Sequence, residues 1–257
     1  MLDCSASIVA YNNQFKMLRT SAESFLSSSL NTRLYIVDNS PHPVLKNVFN
    51  DLPVEYYFYG QNVGYGRAHN WAIKNGKESR YHLIMNPDII ITPGAIESLV
   101  NFMDNNEDVG MVCPHVINED GTDQYLNKRY PKVFDLFARR FIPNFLHFLF
   151  KHRMDRYEMK DLGYDKICDV EVVSGAFMLC RKEILKALEG FDPRYFMYFE
   201  DFDLSRRLQQ HGYRTVYYPN ATVMHLWERA AHKNVRMTII FIVNMCRYFN
   251  KWGWKWF

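Results

Sequence analysis

The run Arg33-Leu34-Tyr35-Ile36-Val37-Asp38-Asn39-Ser40 joins an apolar, partly β-branched stretch to a polar turn at its carboxyl end. The same arrangement recurs at three further predicted strands, Ser5–Ala10, Val54–Tyr59 and Tyr81–Met85. Helical stretches alternate with these strands, which predicts an α/β domain whose mostly parallel sheet carries helices on both faces. Because ligands bind at the carboxyl ends of strands in such a sheet, the polar turns predict one shared crevice.

The second half of the chain continues the α/β pattern. A helix is predicted after Pro93, and strands are predicted at Gly110–Val116 and Val170–Leu179. Two more strands are predicted, Tyr213–Tyr217 and Ala221–His225. The 257 residues are therefore expected to form one catalytic domain over residues 1–225, followed by a helical extension over residues 226–257.

Two segments of the chain are basic and aromatic. Residues 128–160 carry nine basic and three acidic residues, and phenylalanines recur there at helical spacing, which predicts an amphipathic helix or helix pair bent at Pro143. Residues 226–257 carry six basic residues and one acidic residue. The net charge of +3 for the whole chain is too small to indicate a nucleic-acid partner. Both segments suit an anionic membrane surface, and a homodimer interface or packing on the domain are the alternatives.

Neither a signal peptide nor a membrane span is predicted. The N-terminal apolar stretch is too short for a signal peptide, and the apolar run Met237–Cys246 is too short to cross a bilayer. The five cysteines are widely spaced, which argues against a disulfide framework and against a zinc knuckle. These features predict a cytoplasmic protein.

Asp38 and the glycines at positions 64 and 66 are candidates for binding a nucleotide. Asp38 is suited to accept a hydrogen bond from a nucleobase or a ribose hydroxyl, and an ordinary turn aspartate is the alternative. The stretch Gly64–His69 lacks the third glycine of a dinucleotide fingerprint and follows the third strand, which disfavours a Rossmann dehydrogenase. These glycines let the backbone approach a phosphate just before a helix, or else they only form a turn.

Asp88 and His225 are candidate metal ligands. The stretch Asn86-Pro87-Asp88 ends an apolar strand, and oxygen ligands in such a position suit Mg²⁺ or Mn²⁺ carrying a diphosphate. His225 ends another predicted strand, opposite Asp88. A turn aspartate and a structural histidine are the alternatives.

The carboxylates Glu200, Asp201 and Asp203 lie within four positions, directly after an aromatic run. Apolar surroundings and a neighbouring negative charge raise a carboxylate pKa, which suits a general base. Asp203 is expected to pair with Arg206 and Arg207 on the same helix. Glu200 and Asp201 are therefore the catalytic candidates, with Asp201 favoured, and the alternative is acidic charge that complements the helix dipole.

Taken in order, these motifs resemble the inverting glycosyltransferases of family 2, which have the nucleotide-diphosphosugar-binding GT-A fold. Within that family the chain is most similar to the bacterial rhamnosyltransferase branch. The resemblance spans nearly the whole chain and is carried by Ser7–Asn12, Val37–Ser40, Asn62–Asn70, Met85–Asp88, Ser174–Leu179, Gly190–Asp192, Tyr198–Leu204 and His225.

The resemblance implies a role for each candidate residue. The nucleotide-sugar donor would be bound by Ala10, Tyr11, Asp38, Gly64, Asn70 and Asn86. Asp88 and His225 would hold Mg²⁺ or Mn²⁺ beside the departing diphosphate. Asp201, with Glu200 beside it, would take the proton from an acceptor hydroxyl, so that one in-line displacement inverts the anomeric centre. The sequence departs from the family's Asp-x-Asp metal motif at its first position, where the neutral Asn86 is a weaker ligand.

The resemblance also implies the substrates. The rhamnosyltransferase branch implies transfer of L-rhamnose from dTDP-L-rhamnose to a polyprenyl-diphosphate-linked glycan of a bacterial O-antigen or capsule, by a peripheral protein at the inner face of the cytoplasmic membrane. A galactofuranose or hexose donor is one alternative, because sugar choice depends on the shape of the pocket. A catalytically silent glycan-binding protein is another. The aromatic run Tyr195–Phe199 is expected either to stack on the acceptor sugar or to form core.

Overall fold

A computed structural model describes residues 1–226 and 235–257, apart from the side chain of residue 144, and the structural statements below refer to those residues. Residues 227–234 of the predicted extension 226–257 lie outside the described residues.

The centre of the domain is a nine-stranded sheet. Its strands are β1 Leu2–Ala10, β2 Thr32–Asp38, β3 Val54–Phe58, β4 Ser79–Met85, β5 Ile89–Ile91, β6 Val109–Ile117, β7 Cys168–Asp169, β8 Phe177–Arg181 and β9 Arg214–His225. They lie in the order β3-β2-β1-β4-β8-β6-β9-β5, and β7 pairs with β9 beside this path. The four strands predicted in the first half of the chain are confirmed.

Helices cover both faces of the sheet. They are α1 Phe15–Leu26, α2 Tyr65–Asn75, α3 Ala95–Asp104, α4 Val133–Phe141, α5 Lys151–Tyr157, α6 Lys182–Ala187, α7 Glu200–Gln210 and α8 Val235–Trp252. One face of the sheet buries Phe25 of α1 and Leu99 of α3, and the other buries residues of α2, α6 and α7 such as Leu204. Side chains of β4 alternate between these two layers, with Leu83 in the first and Ile84 in the second, as a strand buried on both faces requires.

The sheet is mixed in direction. Strands β1 to β4 are joined by parallel pairs, and α1 and α2 supply crossover connections of the kind that parallel pairing needs. Beyond β4 only β6 and β9 are parallel, while β8 runs against β4 and β6, and β5 and β7 run against β9. The expected mostly parallel arrangement therefore holds for the first four strands, and antiparallel strands complete the sheet.

Two strand predictions in the second half need correction. The segment Val170–Leu179 is not one strand, because the backbone N–H groups of Val173 and Gly175 donate to the side chains of Ser205 and Asp201 instead of to a neighbouring strand. The strands predicted on either side of residues 218–220 are one strand, β9, whose pairing with β6 shifts register between Pro114 and His115. The segment just before β8 therefore forms a loop beside the acidic N-terminal end of α7.

The basic amphipathic segment 128–160 folds as the predicted helix pair. Helix α4 ends before Pro143, and a 3₁₀ segment, Asn144–Phe150, leads into α5. Helix α8 packs against this pair and against the N-terminal end of α7 through an apolar cluster composed of Leu136, Tyr157, Tyr195, Phe199, Tyr248 and Phe249. Two residues of the aromatic run, Tyr195 and Phe199, therefore form core. No helix among the described residues is long and apolar enough to span a membrane.

Candidate active site

Glu200 and Asp201 open helix α7 after a strained turn. Tyr198 and Phe199 both adopt positive φ angles, of 70° and 68°, a conformation that bulky side chains rarely adopt. Such residues persist only where surrounding packing holds them, and they concentrate at functional sites. The buried ring of Phe199 in the aromatic cluster provides that packing, and the turn directs the two carboxylates into a cavity.

Asp201 is held by two backbone donors. Its Oδ2 accepts the N–H of Gly175 at 3.1 Å, and its Oδ1 accepts the N–H of Phe202 at 2.9 Å. Burial raises the pKa of Asp201, although these hydrogen bonds and the nearby Lys128 ammonium act in the opposite direction. The carboxylate is therefore fixed in orientation and is a stronger base than an exposed aspartate.

Glu200 lies in a different environment from Asp201. The residue is 6% exposed, and its Oε2 is buried without a hydrogen-bond partner among the described residues. Burial, together with the negative charge of Asp201, raises the pKa of Glu200 well above its ordinary value. The two adjacent carboxyl groups are thereby differentiated, since Glu200 favours the neutral acid and Asp201 the anion.

Tyr65, in the first turn of α2, connects the two sides of the site. Its hydroxyl donates to the carbonyl oxygen of Gly175 at 2.6 Å, so the same glycine bonds both Tyr65 and Asp201. Burial raises the pKa of Tyr65, and the nearby carboxylates Glu200, Asp201 and Asp88 raise it further. Tyr65 thus lies among the acidic groups of the candidate base and of the candidate metal site.

Asp88 and His225 meet where β4 and β9 end. The Nε2 of His225 lies 3.3 Å from Oδ1 of Asp88, and the Asn86 amide lies 3.4 Å from the same nitrogen. The backbone pairing of Ile89 with His225 brings these residues together across 137 positions of sequence. The structure brings Asp88 and His225 together, and their role as metal ligands stays a prediction.

Gln124 determines which nitrogen of His225 faces Asp88. The Gln124 amide donates to Asn118 Oδ1 at 2.6 Å and to the His225 carbonyl at 2.9 Å, so its own oxygen accepts from His225 Nδ1 at 2.8 Å. Nε2 is therefore the ring nitrogen that faces the Asp88 carboxylate. Such an outer hydrogen bond is the usual support of a metal-binding histidine.

The chemistry of this donor set fits a divalent cation. It offers one imidazole nitrogen and one carboxylate oxygen, with the amide nitrogen of Asn86 3.4 Å from the imidazole, and no described cluster contains three or more His, Cys, Asp or Glu side chains placed to hold a metal. Mg²⁺ and Mn²⁺ commonly take one or two protein ligands and complete their shell with phosphate oxygens and water. A cation bound here would depend on a diphosphate for its remaining ligands.

The predicted donor residues line the ends of β1, β2 and β4. Asp38 is fully buried, and its two oxygens accept the N–H of Ser40 at 2.9 Å and the hydroxyl of Tyr56 at 2.7 Å. Each oxygen keeps a second lone pair. Ala10 pairs with Asp38 across the sheet, and the adjoining Tyr11 is half exposed at the rim.

Gly64 and Asn70 support neighbouring segments. A Cβ at Gly64 would lie 2.4 Å from the carbonyl oxygen of Phe196, so this glycine is required by close backbone contact as well as by its φ of 92°. The Asn70 amide donates to the Phe191 carbonyl at 2.7 Å and accepts the Phe191 N–H at 2.8 Å. Both residues brace the segment that precedes α7.

A cavity of about 460 Å³ opens beside Asp201. Its polar lining includes Lys128, Ser174, Glu200 and Asp201, and helices α4 and α8 close it with Arg139, Arg140 and Phe241. Tyr198 and Phe199 of the aromatic run also line it. From the sequence these cations are predictable only as part of a basic segment, and no role is predicted for Tyr65, Gly175 or Gln124. The only signal for the first two is their place within the family motifs.

Asp203 is structural in its contacts. Arg207 donates to it at 2.7 Å, as predicted from the helical spacing, and Lys251 lies 2.6 Å away. The predicted partner Arg206 instead lies over the rings of Tyr130 and Trp252, each 4.6 Å from the guanidinium carbon. Arg206 packs in this way because α8 presents aromatic surface at that position.

Comparison with known proteins gives consistent matches. The glycosyltransferase like family 2 profile matches residues 6–238. An N-acetylglucosaminyl-diphospho-decaprenol L-rhamnosyltransferase of Mycobacterium tuberculosis is 28% identical over 179 residues, covering 65% of this chain and 56% of the relative. The rhamnosyltransferase WbbL of Escherichia coli strain K12 is 26% identical over 200 residues, covering 75% of this chain and 72% of that protein. The chain thus spans little more than half the length of the mycobacterial relative.

Solved structures share the architecture. The crystal structure of GalNAc-T7 with UDP, GalNAc and Mn²⁺ matches with a TM-score of 0.65 at 14% identity, over 88% of this chain and 43% of that one. The Staphylococcus aureus TarS structure, residues 1–349, matches with a TM-score of 0.59 at 14% identity, over 87% of this chain and 60% of that one. At this identity the likeness concerns the fold, and it confirms the predicted GT-A architecture.

Proposed function

This chain belongs to the glycosyltransferase family 2-like proteins, and from that premise we propose that it is an inverting glycosyltransferase that uses a nucleotide-sugar donor and a lipid-linked glycan acceptor. The observation that carries the proposal is the position of Asp201. Its carboxylate is oriented by two backbone donors and lies in the wall of a cavity large enough for a sugar. That is the geometry a general base needs.

In the proposed reaction Asp201 removes the proton from an acceptor hydroxyl, and the resulting oxygen attacks the anomeric carbon from the side opposite the leaving diphosphate. The bond to the diphosphate breaks as the new glycosidic bond forms, which inverts the anomeric centre. Glu200, as the neutral neighbour, keeps a second negative charge away from the attacking oxygen. Tyr65 positions Asp201 through the backbone of Gly175, whose carbonyl accepts the Tyr65 hydroxyl and whose N–H donates to Asp201.

On the donor side, Asp38, Ala10 and Tyr11 are proposed to bind the nucleoside, and Gly64 and Asn70 to shape the wall beside it. Asp88 and His225 are proposed to hold Mg²⁺ or Mn²⁺ through the fit described above, and Asn86 is proposed to contact the donor beside them. When bound, such a cation neutralises charge that develops on the departing diphosphate. Gln124 orients the His225 ring so that Nε2 faces Asp88.

We further propose L-rhamnose as the transferred sugar, dTDP-L-rhamnose as the donor, and bacterial surface polysaccharide, O-antigen or capsule, as the product. The similarity to two rhamnosyltransferases supports this choice. A galactofuranose or hexose donor remains the rival, because the described pocket residues do not by themselves distinguish sugars of similar size.

We also propose peripheral attachment to the inner face of the cytoplasmic membrane. An apolar surface is exposed on α4, on the 3₁₀ segment after it, on α8 and on the C-terminal residues; its members include Phe137, Phe141, Phe145, Phe148, Ile239, Val243, Trp256 and Phe257. The basic residues Arg139 and Arg140 lie between Phe137 and Phe141 on α4. Aromatic and cationic side chains together suit an anionic bilayer interface.

Vesicle binding tests the membrane proposal. Vesicles of anionic lipid should bind the protein at low salt, and a variant with both Phe145→Ser and Phe148→Ser should bind them less. A homodimer that buries these residues and does not bind vesicles would contradict the proposal.

The activity is tested by incubating the protein with a panel of nucleotide sugars, Mg²⁺ or Mn²⁺, and a polyprenyl-diphosphate-linked N-acetylglucosamine acceptor. We expect dTDP-L-rhamnose to be consumed and its sugar transferred. Asp201→Asn should lower kcat by about 10² to 10⁴-fold, the range typical for loss of a general base, while Glu200→Gln should have a smaller effect. Consumption of no donor, or an unchanged rate for Asp201→Asn, would favour a catalytically silent glycan-binding protein.

A further inference from the structure

The cavity beside Asp201 contains more positive charge than its carboxylates balance. Lys128, Arg139 and Arg140 line it. Within the described residues, the salt bridges of Lys128 and Arg139 both end on Glu158, at 3.8 and 3.4 Å, and Glu158 is already bound by Lys160 at 2.8 Å. Glu158 is therefore shared by three cations, of which Lys160 also lies 3.6 Å from Asp155.

Arg140 is held in place by neutral groups. Its Nη2 donates to the hydroxyl of Thr238 at 2.8 Å, and its guanidinium carbon lies 4.8 Å from the ring centre of Phe241. These contacts link α4 to α8, and none of the described carboxylates forms a salt bridge with Arg140. The site is therefore preorganised to receive a planar or tetrahedral anion.

Lys128 carries its positive charge in an unfavourable environment, because it is buried beside another cation. The residue is 7% exposed, and its ammonium donates to the Tyr125 carbonyl. Burial and the nearby Arg139 guanidinium lower the pKa of Lys128 to about 7. A buried lysine beside an arginine gains most from an added anion, which restores the balance of charge.

We infer that Lys128, Arg139 and Arg140 bind the diphosphate of the lipid-linked acceptor, with the acceptor sugar directed toward Asp201. This inference rests on the proposed function, because it assigns the cavity to the acceptor of that reaction. The cavity lining includes Asp201 and Glu200 but neither Asp38 nor Asp88, so it lies on the base side of the site and not at the donor end of the strands.

The surroundings of the cavity suit the lipid that such a diphosphate carries. On α4, the cavity-lining Arg139 and Arg140 are flanked by Phe137 and Phe141, which are 51% and 46% exposed. On α8, Phe241 lines the cavity while its neighbour Ile242 is 40% exposed. Helix α4 therefore places charge toward the cavity, and both α4 and α8 expose apolar side chains beside it. A prenyl chain leaving the diphosphate would meet this apolar rim.

Direct binding tests this inference without requiring catalysis. Geranyl diphosphate should bind the full-length protein at least tenfold more tightly than geraniol in calorimetric titration at low salt. Arg139→Gln and Arg140→Gln should each weaken geranyl diphosphate at least fivefold and leave geraniol unchanged. Lys151→Gln, which removes a cation that is 74% exposed on the adjacent helix, is the matched control and should leave the affinity unchanged. Equal affinity for geranyl diphosphate and geraniol would overturn the inference.

A competition arm distinguishes the acceptor diphosphate from the donor diphosphate. Saturating dTDP should leave geranyl diphosphate bound, since the two occupy different ends of the site. Displacement by dTDP would assign the three cations to the donor and refute the inference.

In the transfer assay, Arg139→Gln should raise the KM for a diphosphate-linked acceptor about tenfold. The same variant should leave the donor KM and the rate with an uncharged alkyl glycoside unchanged. Transfer to neither acceptor would instead contradict the proposed function, while the binding arm would still decide the cation site.

Discussion

The indole N–H of Trp252 donates to Oδ1 of Asp203 at 2.9 Å, two residues beyond Asp201. Because Asp203 is fully buried in α7 and Trp252 ends α8, this bond fastens the C-terminal helix to the helix that carries the proposed base. Arg207 and Lys251 complete the coordination of the same carboxylate. The position of α8, and with it one wall of the cavity, therefore depends on a residue next to the reaction centre.

Trp252→Phe is expected to weaken this attachment. The substitution keeps most of the apolar contact and removes one hydrogen bond to a buried carboxylate, which we expect to lower the free energy of unfolding by about 1–2 kcal/mol. Urea unfolding checks the value. Trp254→Phe is the matched control, since its indole bonds the exposed Asn250 at 2.9 Å, and it should lower the free energy of unfolding by less than about 0.5 kcal/mol. Equal losses for the two variants would contradict the argument.

The pH dependence of catalysis should report the environment of Asp201. A general base acts only when deprotonated, so kcat/KM must fall as the pH falls through its pKa. Since burial raises the pKa of Asp201 above its ordinary value, the acid limb should lie above pH 4, where an exposed aspartate would place it. Glu200 favours the neutral form over this range, so Glu200→Gln should leave the acid limb in place. A limb at or below the ordinary aspartate range would argue against Asp201 as a buried base.

Metal dependence should reveal the support that Gln124 gives to His225. Chelation with EDTA is expected to abolish transfer, and added Mn²⁺ or Mg²⁺ to restore it. Gln124→Leu removes the acceptor that fixes the histidine ring, and it should raise the Mn²⁺ concentration for half-maximal activity about 10- to 100-fold, the range typical for loss of an outer-sphere partner. Asn118→Ala perturbs Gln124 one step further away and should have a smaller effect. Transfer that persists in EDTA would refute the metal site.

Low pH should destabilise the fold through a buried hydrogen-bonded cluster formed by Ser7, His69 and His82. The hydroxyl of Ser7 lies 2.7 Å from His69 Nδ1 and 2.9 Å from His82 Nε2. Burial lowers the pKa of His69 to about 3 and that of His82 well below its ordinary value. The unfolded chain therefore takes up protons below about pH 6.5 that the folded protein does not bind, and the free energy of unfolding should fall as the pH falls.

The expected slope is about 1.4 kcal/mol per pH unit for each of these histidines between pH 6 and pH 4. Urea unfolding at several pH values measures it. His69→Gln should reduce the slope by about 1.4 kcal/mol per pH unit, the contribution of one histidine. It also perturbs the hydrogen bond to Ser7, so it should lower the free energy of unfolding at pH 7 as well. His211→Gln, at an exposed position, should leave the slope unchanged. An identical slope in both variants would contradict the assignment.

Local sequence patterns were sufficient to predict features that lie within a single helix or strand. The pairing of Asp203 with Arg207 followed from helical spacing, and the first four strands followed from apolar runs that end in polar turns. The apolar stretch Val170–Leu179 reads as a strand, but the N–H of Gly175 is taken by Asp201, 26 residues away. No periodicity in that stretch encodes such a partner.

Long-range contacts also set the environment of the site, and they are hidden from sequence reasoning for the same reason. Gln124 and His225 are 101 positions apart, and nothing around Gln124 marks it as a partner of a histidine. Arg206 was expected to pair with Asp203, but aromatic surface from α8 and from Tyr130 holds it instead. The identity of the candidate acid and base groups was predictable, whereas the protonation states and the cations around them required the fold.

The contact between Gly64 and Phe196 has a mechanical meaning. Position 64 belongs to the turn on the donor side and Phe196 to the run that leads into α7, and the two backbones touch with no room for even a methyl group between them. A displacement of either segment would therefore press on the other or open a gap between them. The turn that carries Gly64 and the run that leads to the proposed base are thus mechanically joined at this contact.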